Sequence, residues 1–220
     1  MRSLVLIGVV SLLAGASVPA AGQTMDMARY QRAAVRAVNQ EDAAEALNRA
    51  LKGKKPEEAR ATGQQLARMG AARLKGDDLK QRAELILEFT DRAGPKMCSA
   101  WSRGTATPEQ TAQMVAKLDS TSLDQWVRLS VRSMVAEINQ KPKAFEGSEK
   151  DVAKMFESLD KGMSSDDSQR FHDIIGRFDK ASNDDACWFG RQLYIAALAL
   201  DGKRRDHALR TLVWLELKPS

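Results

Sequence analysis

Apolar side chains recur at intervals of three and four residues along almost the whole chain. This spacing puts apolar side chains on one face of an α-helix, whereas a half-buried strand alternates apolar and polar residues. Strict alternation over the length of a strand is missing from the sequence, so the pattern predicts an all-α protein. One longer helix is predicted after Ser122, and its apolar residues are Trp126, Val127, Val131, Met134, Val135 and Ile138.

Helix start and stop signals predict about eight or nine helices, packed as a single compact domain over residues 23–220. Residues 107–110, Thr-Pro-Glu-Gln, have the form of a capping box, with threonine before the helix and glutamine at its third position. The first helix is predicted over residues 25–51, with residues 39–42 as a point where it could divide. Around Cys98 we expect only a short helical turn.

The end of the chain is the most apolar part of the mature sequence. Residues 201–204, Asp-Gly-Lys-Arg, form a tight connection between two apolar-rich segments at 184–200 and 207–218. Two neighbouring apolar helices joined by so short a connection predict a buried helical hairpin.

Residues 1–22 have the three parts of a secretory signal peptide. A positive start at Arg2 is followed by an uncharged apolar run over residues 4–14 and then by small residues. The run is shorter than the roughly 20 residues that a membrane-spanning helix needs. We therefore expect cleavage near residue 22, most simply after Ala20, and a mature protein without a membrane anchor. The short, alanine-rich form is typical of bacterial signals and predicts a periplasmic protein, with full secretion as the alternative.

Two cysteines, Cys98 and Cys187, lie in the mature chain. An exported protein meets an oxidising compartment, where two cysteines most simply form one disulfide bond. This bond would close a loop of about 90 residues, for which chain entropy gives roughly 4–5 kcal/mol of stabilisation. A nucleophilic cysteine is the alternative, and metal binding is not expected because no further ligand residue lies beside Cys98.

The charge of the chain is mildly basic. It carries 34 lysines and arginines against 29 aspartates and glutamates, a formal net charge of +5. Loss of Arg2 with the signal peptide lowers the net charge to +4. Because basic and acidic residues are interleaved and no dense basic block occurs, the sequence argues against nucleic-acid binding.

No local motif of a common catalytic or cofactor site is present: HExxH, GxSxG, the P-loop and GxGxxG are all missing from the sequence. The two histidines, His172 and His207, are therefore interpreted as structural. Adjacent acidic pairs could serve a glycosidase, but each lies at or near a predicted helix start, where carboxylates stabilise free N–H groups. We predict no catalytic residue, no cofactor and no metal site. The candidate pairs weighed for this role begin at Glu41, Glu57, Asp166 and Asp184.

Tryptophan supplies the candidate binding residue. Trp101 and Trp188 lie close in sequence to the two cysteines, so we expect them to pack as core around the disulfide. Trp214 lies between Val213 and Leu215, partly off the apolar stripe of its helix. Because an exposed tryptophan is a favoured anchor for a protein partner, Trp214 is the candidate partner contact, with burial as the alternative.

Export, modest size, a helical fold and the lack of a catalytic motif together predict a periplasmic protein-binding factor. The favoured form is an inhibitor or immunity protein, not itself an enzyme, that neutralises a toxic enzyme or an envelope enzyme by occlusion. A periplasmic chaperone or envelope-assembly adaptor is the first alternative. A helical glycan-cleaving enzyme that uses carboxylates is the second, although the 5% of aromatic residues argue against a long sugar-stacking cleft.

Overall fold

A computed structural model describes residues 27–218, and within that range it contains eleven α-helices and no strand, which confirms the predicted all-α class. The predicted signal peptide, residues 1–22, lies outside the described residues. None of the helices in 27–218 is both long and apolar enough to cross a membrane. In chain order the helices are α1 Met27–Gln40, α2 Ala44–Leu51, α3 Pro56–Gly70, α4 Asp77–Ala93, α5 Pro95–Ser102, α6 Pro108–Val115, α7 Ser120–Asn139, α8 Glu149–Asp160, α9 Ser165–Ile175, α10 Asn183–Ala199 and α11 Gly202–Leu217.

The count of eleven helices corrects the prediction of eight or nine at two places. The first predicted helix is divided into α1 and α2, because Asp42 takes a left-handed backbone conformation with φ of 50°. The expected turn around Cys98 is the full helix α5, which begins after Gly94 (φ 81°) with Pro95 at its first position. Proline suits that position because its ring pre-sets the helical φ and the missing N–H would have no partner there.

The predicted capping box at the start of α6 is confirmed. The backbone N–H of Gln110 donates to the Thr107 hydroxyl at 3.2 Å, and the backbone N–H of Thr107 donates to the Gln110 side chain at 2.9 Å. Each bond satisfies an N–H group that has no partner within the helix, so local sequence alone fixes this boundary.

The described residues group into two compact units, which we describe separately. Unit 1 comprises residues 27–74 and 118–144, and unit 2 comprises residues 75–117 and 145–218. The expectation of a single domain stays a prediction.

In unit 1, α7 lies beside both α1 and α3. Arg29 donates to the carbonyl oxygen of Leu118 at 2.6 Å, and Glu41, just after α1, pairs with Arg132 at 2.7 Å. These pairs advance together along the two helices, so α1 and α7 run in the same direction. The core between the helices of unit 1 is built from buried apolar side chains, among them Tyr30, Ala34, Val38, Leu47, Val127, Val131 and Met134.

Helix α3 approaches α7 through a glycine. A Cβ atom placed on Gly70 would lie 1.8 Å from the carbonyl oxygen of Ser133, a distance that no real Cβ contact reaches. Gly70 is therefore the residue that permits the two backbones to meet at this point.

In unit 2, the predicted disulfide is confirmed: Cys98 on α5 is bonded to Cys187 on α10, with an S–S distance of 1.98 Å. The two helices also meet at a glycine, because a Cβ on Gly190 would lie 2.0 Å from the hydroxyl oxygen of Ser102. The disulfide and the close contact lie within one helical turn of each other on α10, so α5 and α10 are held together both covalently and by packing.

The predicted hairpin at the chain end is formed by α10 and α11, although α11 begins at Gly202 rather than near His207. Near the end of α11, Glu216 accepts a hydrogen bond from the hydroxyl of Tyr194 on α10. Its carboxylate also lies 2.5 Å from the guanidinium of Arg82 on α4. Burial is the largest single influence on Arg82 and by itself would lower its pKa, but the electrostatic interactions and hydrogen bonds with Glu216 and Tyr194 together outweigh it and raise the pKa. This cluster fixes the register of α11 against α4 and α10.

Candidate protein-binding surface

A tryptophan and an arginine meet at the surface of unit 2. The guanidinium of Arg170 on α9 lies over the Trp188 indole on α10, 4.3 Å from the ring centre. Trp188 is half-buried and packs against a core cluster that includes Phe171 and Phe189, whereas the Arg170 side chain is 47% exposed. A cation over an indole at such a site contributes about 0.5–1 kcal/mol, enough to favour one orientation of the arginine.

One carboxylate positions two arginines beside this indole. Asp185 lies 3.2 Å from Arg170 through one oxygen and 3.2 Å from Arg177 through the other. The aspartate is in the first turn of α10, where its backbone N–H donates to the hydroxyl of the capping residue Ser182 at 3.0 Å. The residue that helps to begin α10 therefore also anchors both guanidinium groups. We call the set Trp188, Arg170, Arg177 and Asp185 the tryptophan–arginine surface.

The charge of Asp185 is stabilised by this arrangement. Hydrogen bonds from Arg170 and then Arg177 lower the pKa of its carboxyl, with the Ser182 contact adding to the effect against a smaller desolvation penalty. The carboxylate therefore stays ionised under any neutral or mildly acidic condition, and the two arginines keep their anchor.

Substitution of Asp185 with asparagine should destabilise the protein at neutral pH and have a diminishing effect as the solution is acidified. Because its pKa is depressed in the folded state, the carboxylate stabilises the fold above its ordinary pKa of 3.8, and that contribution is lost as the pH falls through the folded value. Thermal unfolding of the wild type and of Asp185→Asn, measured from neutral pH down to about pH 2, tests this. The same substitution at the neighbouring exposed Asp184 is the matched control. A difference that persists unchanged at the lowest pH would contradict the account.

A second polar cluster lies where α8 ends and α9 begins. One oxygen of Asp160 accepts a hydrogen bond from the Ser168 hydroxyl and lies 3.2 Å from Nε2 of His172. The aspartate lies between the other two side chains, so the serine hydroxyl is paired with a carboxylate and not with a histidine base. This arrangement differs from the serine–histidine contact of hydrolases, in which the histidine acts as the base for the serine. The structural interpretation of His172 stays a prediction.

His207 contacts α8 and Phe145. Its Nε2 is buried and lies 3.8 Å from a carboxylate oxygen of Asp151 on α8, and its ring meets the Phe145 ring edge-on at 6.2 Å between centres. Asp151 in turn bonds Ser148 in the capping box of α8.

Three of the four candidate acidic pairs lie at helix starts, as expected, in the first turns of α3, α9 and α10. The fourth pair, Glu41 and Asp42, lies in the break after α1, where Glu41 is bound by Arg132. Across residues 27–218 no three or more His, Cys, Asp or Glu side chains come together as a group that could hold a metal ion.

Trp214, the tryptophan that the sequence favoured, is half-buried. A Cβ on Gly147 would lie 2.7 Å from Cδ2 of its indole, and the Lys218 ammonium lies 4.1 Å from the ring centre. Its role as a partner contact stays a prediction. The sequence pattern placed Trp188 in the core and gave no sign of its contact with Arg170, because the two residues are 18 positions apart and no local motif links them.

Comparison of the chain with known protein families, with characterised proteins and with solved structures found no match.

Proposed function

We propose that this protein is a periplasmic protein-binding factor that inhibits a toxic enzyme by occlusion, and that it does so through the tryptophan–arginine surface. The observation that carries the proposal is the contact between Arg170 and Trp188, made at the surface and held in place by Asp185. Tryptophan and arginine are the residue types most enriched among the few side chains that dominate the binding energy of protein interfaces.

Pre-organisation supports a single tight partner over many weak ones. The indole of Trp188 rests on the core cluster, and the Arg170 guanidinium is restrained by both the ring and the Asp185 carboxylate. Side chains that are already ordered lose less entropy on binding, which increases affinity. Promiscuous binders such as chaperones rely instead on flexible surfaces that repack for each client.

The two helices that carry the surface also bear other exposed apolar side chains. Two of the large exposed apolar side chains lie on the same helices, Ile175 on α9 at 40% exposure and Ile195 on α10 at 44%. The Cys98–Cys187 disulfide restrains α10 close to Trp188, which limits backbone movement when a partner binds. An enzyme that uses two carboxylates has less support, because Asp185 is engaged by two arginines and Asp160 by Ser168.

Capture from periplasmic extract tests the proposal. The mature protein, immobilised through its C-terminus, is expected to retain one enzyme at fixed stoichiometry. Addition of the free protein in equal amount should then abolish the activity of that enzyme, because an occluding inhibitor blocks access of the substrate.

Two results of this experiment would contradict the proposal. One is recovery of many partners in variable ratio, which is the behaviour of a chaperone. The other is a captured enzyme whose activity is unchanged when the protein is present in excess.

A further inference from the structure

The solvent-facing side of α10 carries an uncharged stripe over three helical turns. Trp188, Gln192, Ile195 and Ala199 follow one another at spacings of four, three and four residues, which places them on one face of the helix. Ile195 is 44% exposed, Ala199 is exposed, and the other two are half-buried. At the rise of an α-helix these residues, which we call the α10 stripe, extend over about 16 Å.

The three charged residues of α10 lie beside this stripe and not in it. Arg191 is paired with Asp91 on α4, and Asp185 with the two arginines of the tryptophan–arginine surface. Asp184 is exposed, and its carboxylate has no partner among residues 27–218. An occupant of the stripe must therefore be uncharged at its centre, because a charged group there would lose water without gaining an opposite charge.

A second copy of this chain fits the stripe when the two α10 helices lie antiparallel. The spacing of four, three and four residues is the same in both directions. A two-fold axis at its midpoint therefore pairs Trp188 with Ala199 of the second copy, and Gln192 with Ile195 of the second copy. The largest side chain of the stripe then faces the smallest, which lets the two helices approach closely.

The charges at the two ends of α10 favour the same orientation. Asp184 lies in the first turn, and Lys203 follows the last turn at the start of α11. Lys203 is exposed and has no partner in the described part of the chain, whereas the nearby Asp201 is already paired with Arg204. An antiparallel second copy brings Asp184 of each copy towards Lys203 of the other, whereas a parallel copy would bring like charges together.

We infer that the chain forms a weak antiparallel dimer through the α10 stripe. One helix face of three turns is smaller than the interfaces of roughly 1,200 Å² or more that hold stable complexes, so the dimer is reversible. Trp188 belongs both to the stripe and to the tryptophan–arginine surface. On the proposed function, which this last step alone requires, the dimer and the inhibitory complex exclude one another, and the dimer covers the indole until the enzyme is present.

Sedimentation equilibrium of the mature protein, with no other protein present, tests the dimer. The average mass should rise from that of a monomer towards that of a dimer between about 1 µM and 1 mM, the range of weak association. Ile195→Lys should raise the dimer dissociation constant at least about tenfold, because it places two like charges near the two-fold axis. Met69→Lys is the matched control, since Met69 on α3 is equally exposed at 44% and the change adds the same charge. It should leave the constant unchanged.

Further variants test the register and the orientation. Ala199→Phe should weaken the dimer, because Trp188 of the second copy occupies the space that the ring would enter. A non-specific apolar contact would instead be strengthened by the added ring. Asp184→Lys and Lys203→Asp should each weaken the dimer, and the two together should recover most of the loss. Circular dichroism checks that each variant keeps the helical fold.

A monomer throughout this concentration range would overturn the inference, as would an equal loss in Ile195→Lys and Met69→Lys. Tighter association of Ala199→Phe, or additive losses in the two charge variants, would contradict the antiparallel register. No enzyme is present in these measurements, so their outcome does not depend on the proposed function. Addition of the captured enzyme should then dissociate the dimer, and a dimer that persists with the enzyme bound would refute the exclusion.

Discussion

The substitution Gly70→Ala adds a single methyl group. It is expected to destabilise unit 1 by about 3 kcal/mol or more, which is among the largest effects expected for a change of this size in the protein. The added Cβ would lie 1.8 Å from the carbonyl oxygen of Ser133 and 2.5 Å from its carbonyl carbon. These are backbone atoms of α7, so no change of side-chain rotamer can relieve the overlap. Helices α3 and α7 would have to separate along their contact, which opens the core of the unit.

Thermal unfolding followed by circular dichroism measures the effect of Gly70→Ala. A loss of this size in a unit of this length corresponds to a midpoint lower by about 10–20 °C. Gly176→Ala is the matched control, because a Cβ there would meet only ordinary contacts at 3.6 Å or beyond. An unchanged midpoint in Gly70→Ala would show that α3 and α7 are not in close contact.

Alanine at position 190 is expected to cost about 2–3 kcal/mol, and a second substitution should recover most of that loss. The added Cβ would lie 2.0 Å from the hydroxyl oxygen of Ser102 and 2.5 Å from its Cβ, both side-chain atoms. The helices cannot relieve this overlap by moving apart, because the disulfide joins them at Cys187, one turn before Gly190. Removal of the serine side chain in Ser102→Gly leaves its Cα 3.3 Å from the added Cβ, a close contact that a shift of a few tenths of an ångström relieves.

A double-mutant cycle of Gly190→Ala and Ser102→Gly provides the test, with stabilities from urea unfolding. We expect a coupling of about 1–2 kcal/mol in favour of the double variant over the sum of the two single changes. Additive effects would mean that α5 and α10 do not meet at these residues.

The two glycines differ in a way that only the structure shows. The loss of stability caused by alanine can be compensated at Gly190, because the overlapping atoms belong to the side chain of Ser102. It cannot be compensated in this way at Gly70, because the overlapping atoms belong to the backbone carbonyl of Ser133. Sequence patterns place both glycines within or beside helices. The same patterns do not show which other helix packs against each glycine.

Features with a local cause could be predicted from the sequence. The helical class follows from apolar spacing, and the box at Thr107 and Gln110 follows from chemistry within a single turn. The disulfide was predictable because two cysteines, in a chain whose sequence predicts export, leave one simple pairing. The division between α1 and α2 was harder to fix, because it depends on the left-handed conformation of Asp42, which is uncommon for a residue other than glycine.

The candidate surface could not be predicted because its members are far apart in sequence. Arg170 lies on α9 and Arg177 follows it, whereas Asp185 and Trp188 lie on α10. In the sequence, Asp185 has the pattern of a helix-start carboxylate and Trp188 that of a core residue beside a cysteine. Both interpretations describe part of what these residues do, and the packing of α9 on α10 adds the contacts with the arginines.

The dissociation constant of the complex with the captured enzyme tests the central claim most directly. Trp188→Ala and Arg170→Ala should each raise it, Trp188→Ala by about thirtyfold, because truncation of a dominant interface residue costs about 2 kcal/mol. Arg204→Ala removes an exposed arginine that is also paired with an aspartate, Asp201, and should leave the constant unchanged. An unchanged constant in both surface variants, or a loss confined to Trp214→Ala, would contradict the assignment of binding to the tryptophan–arginine surface.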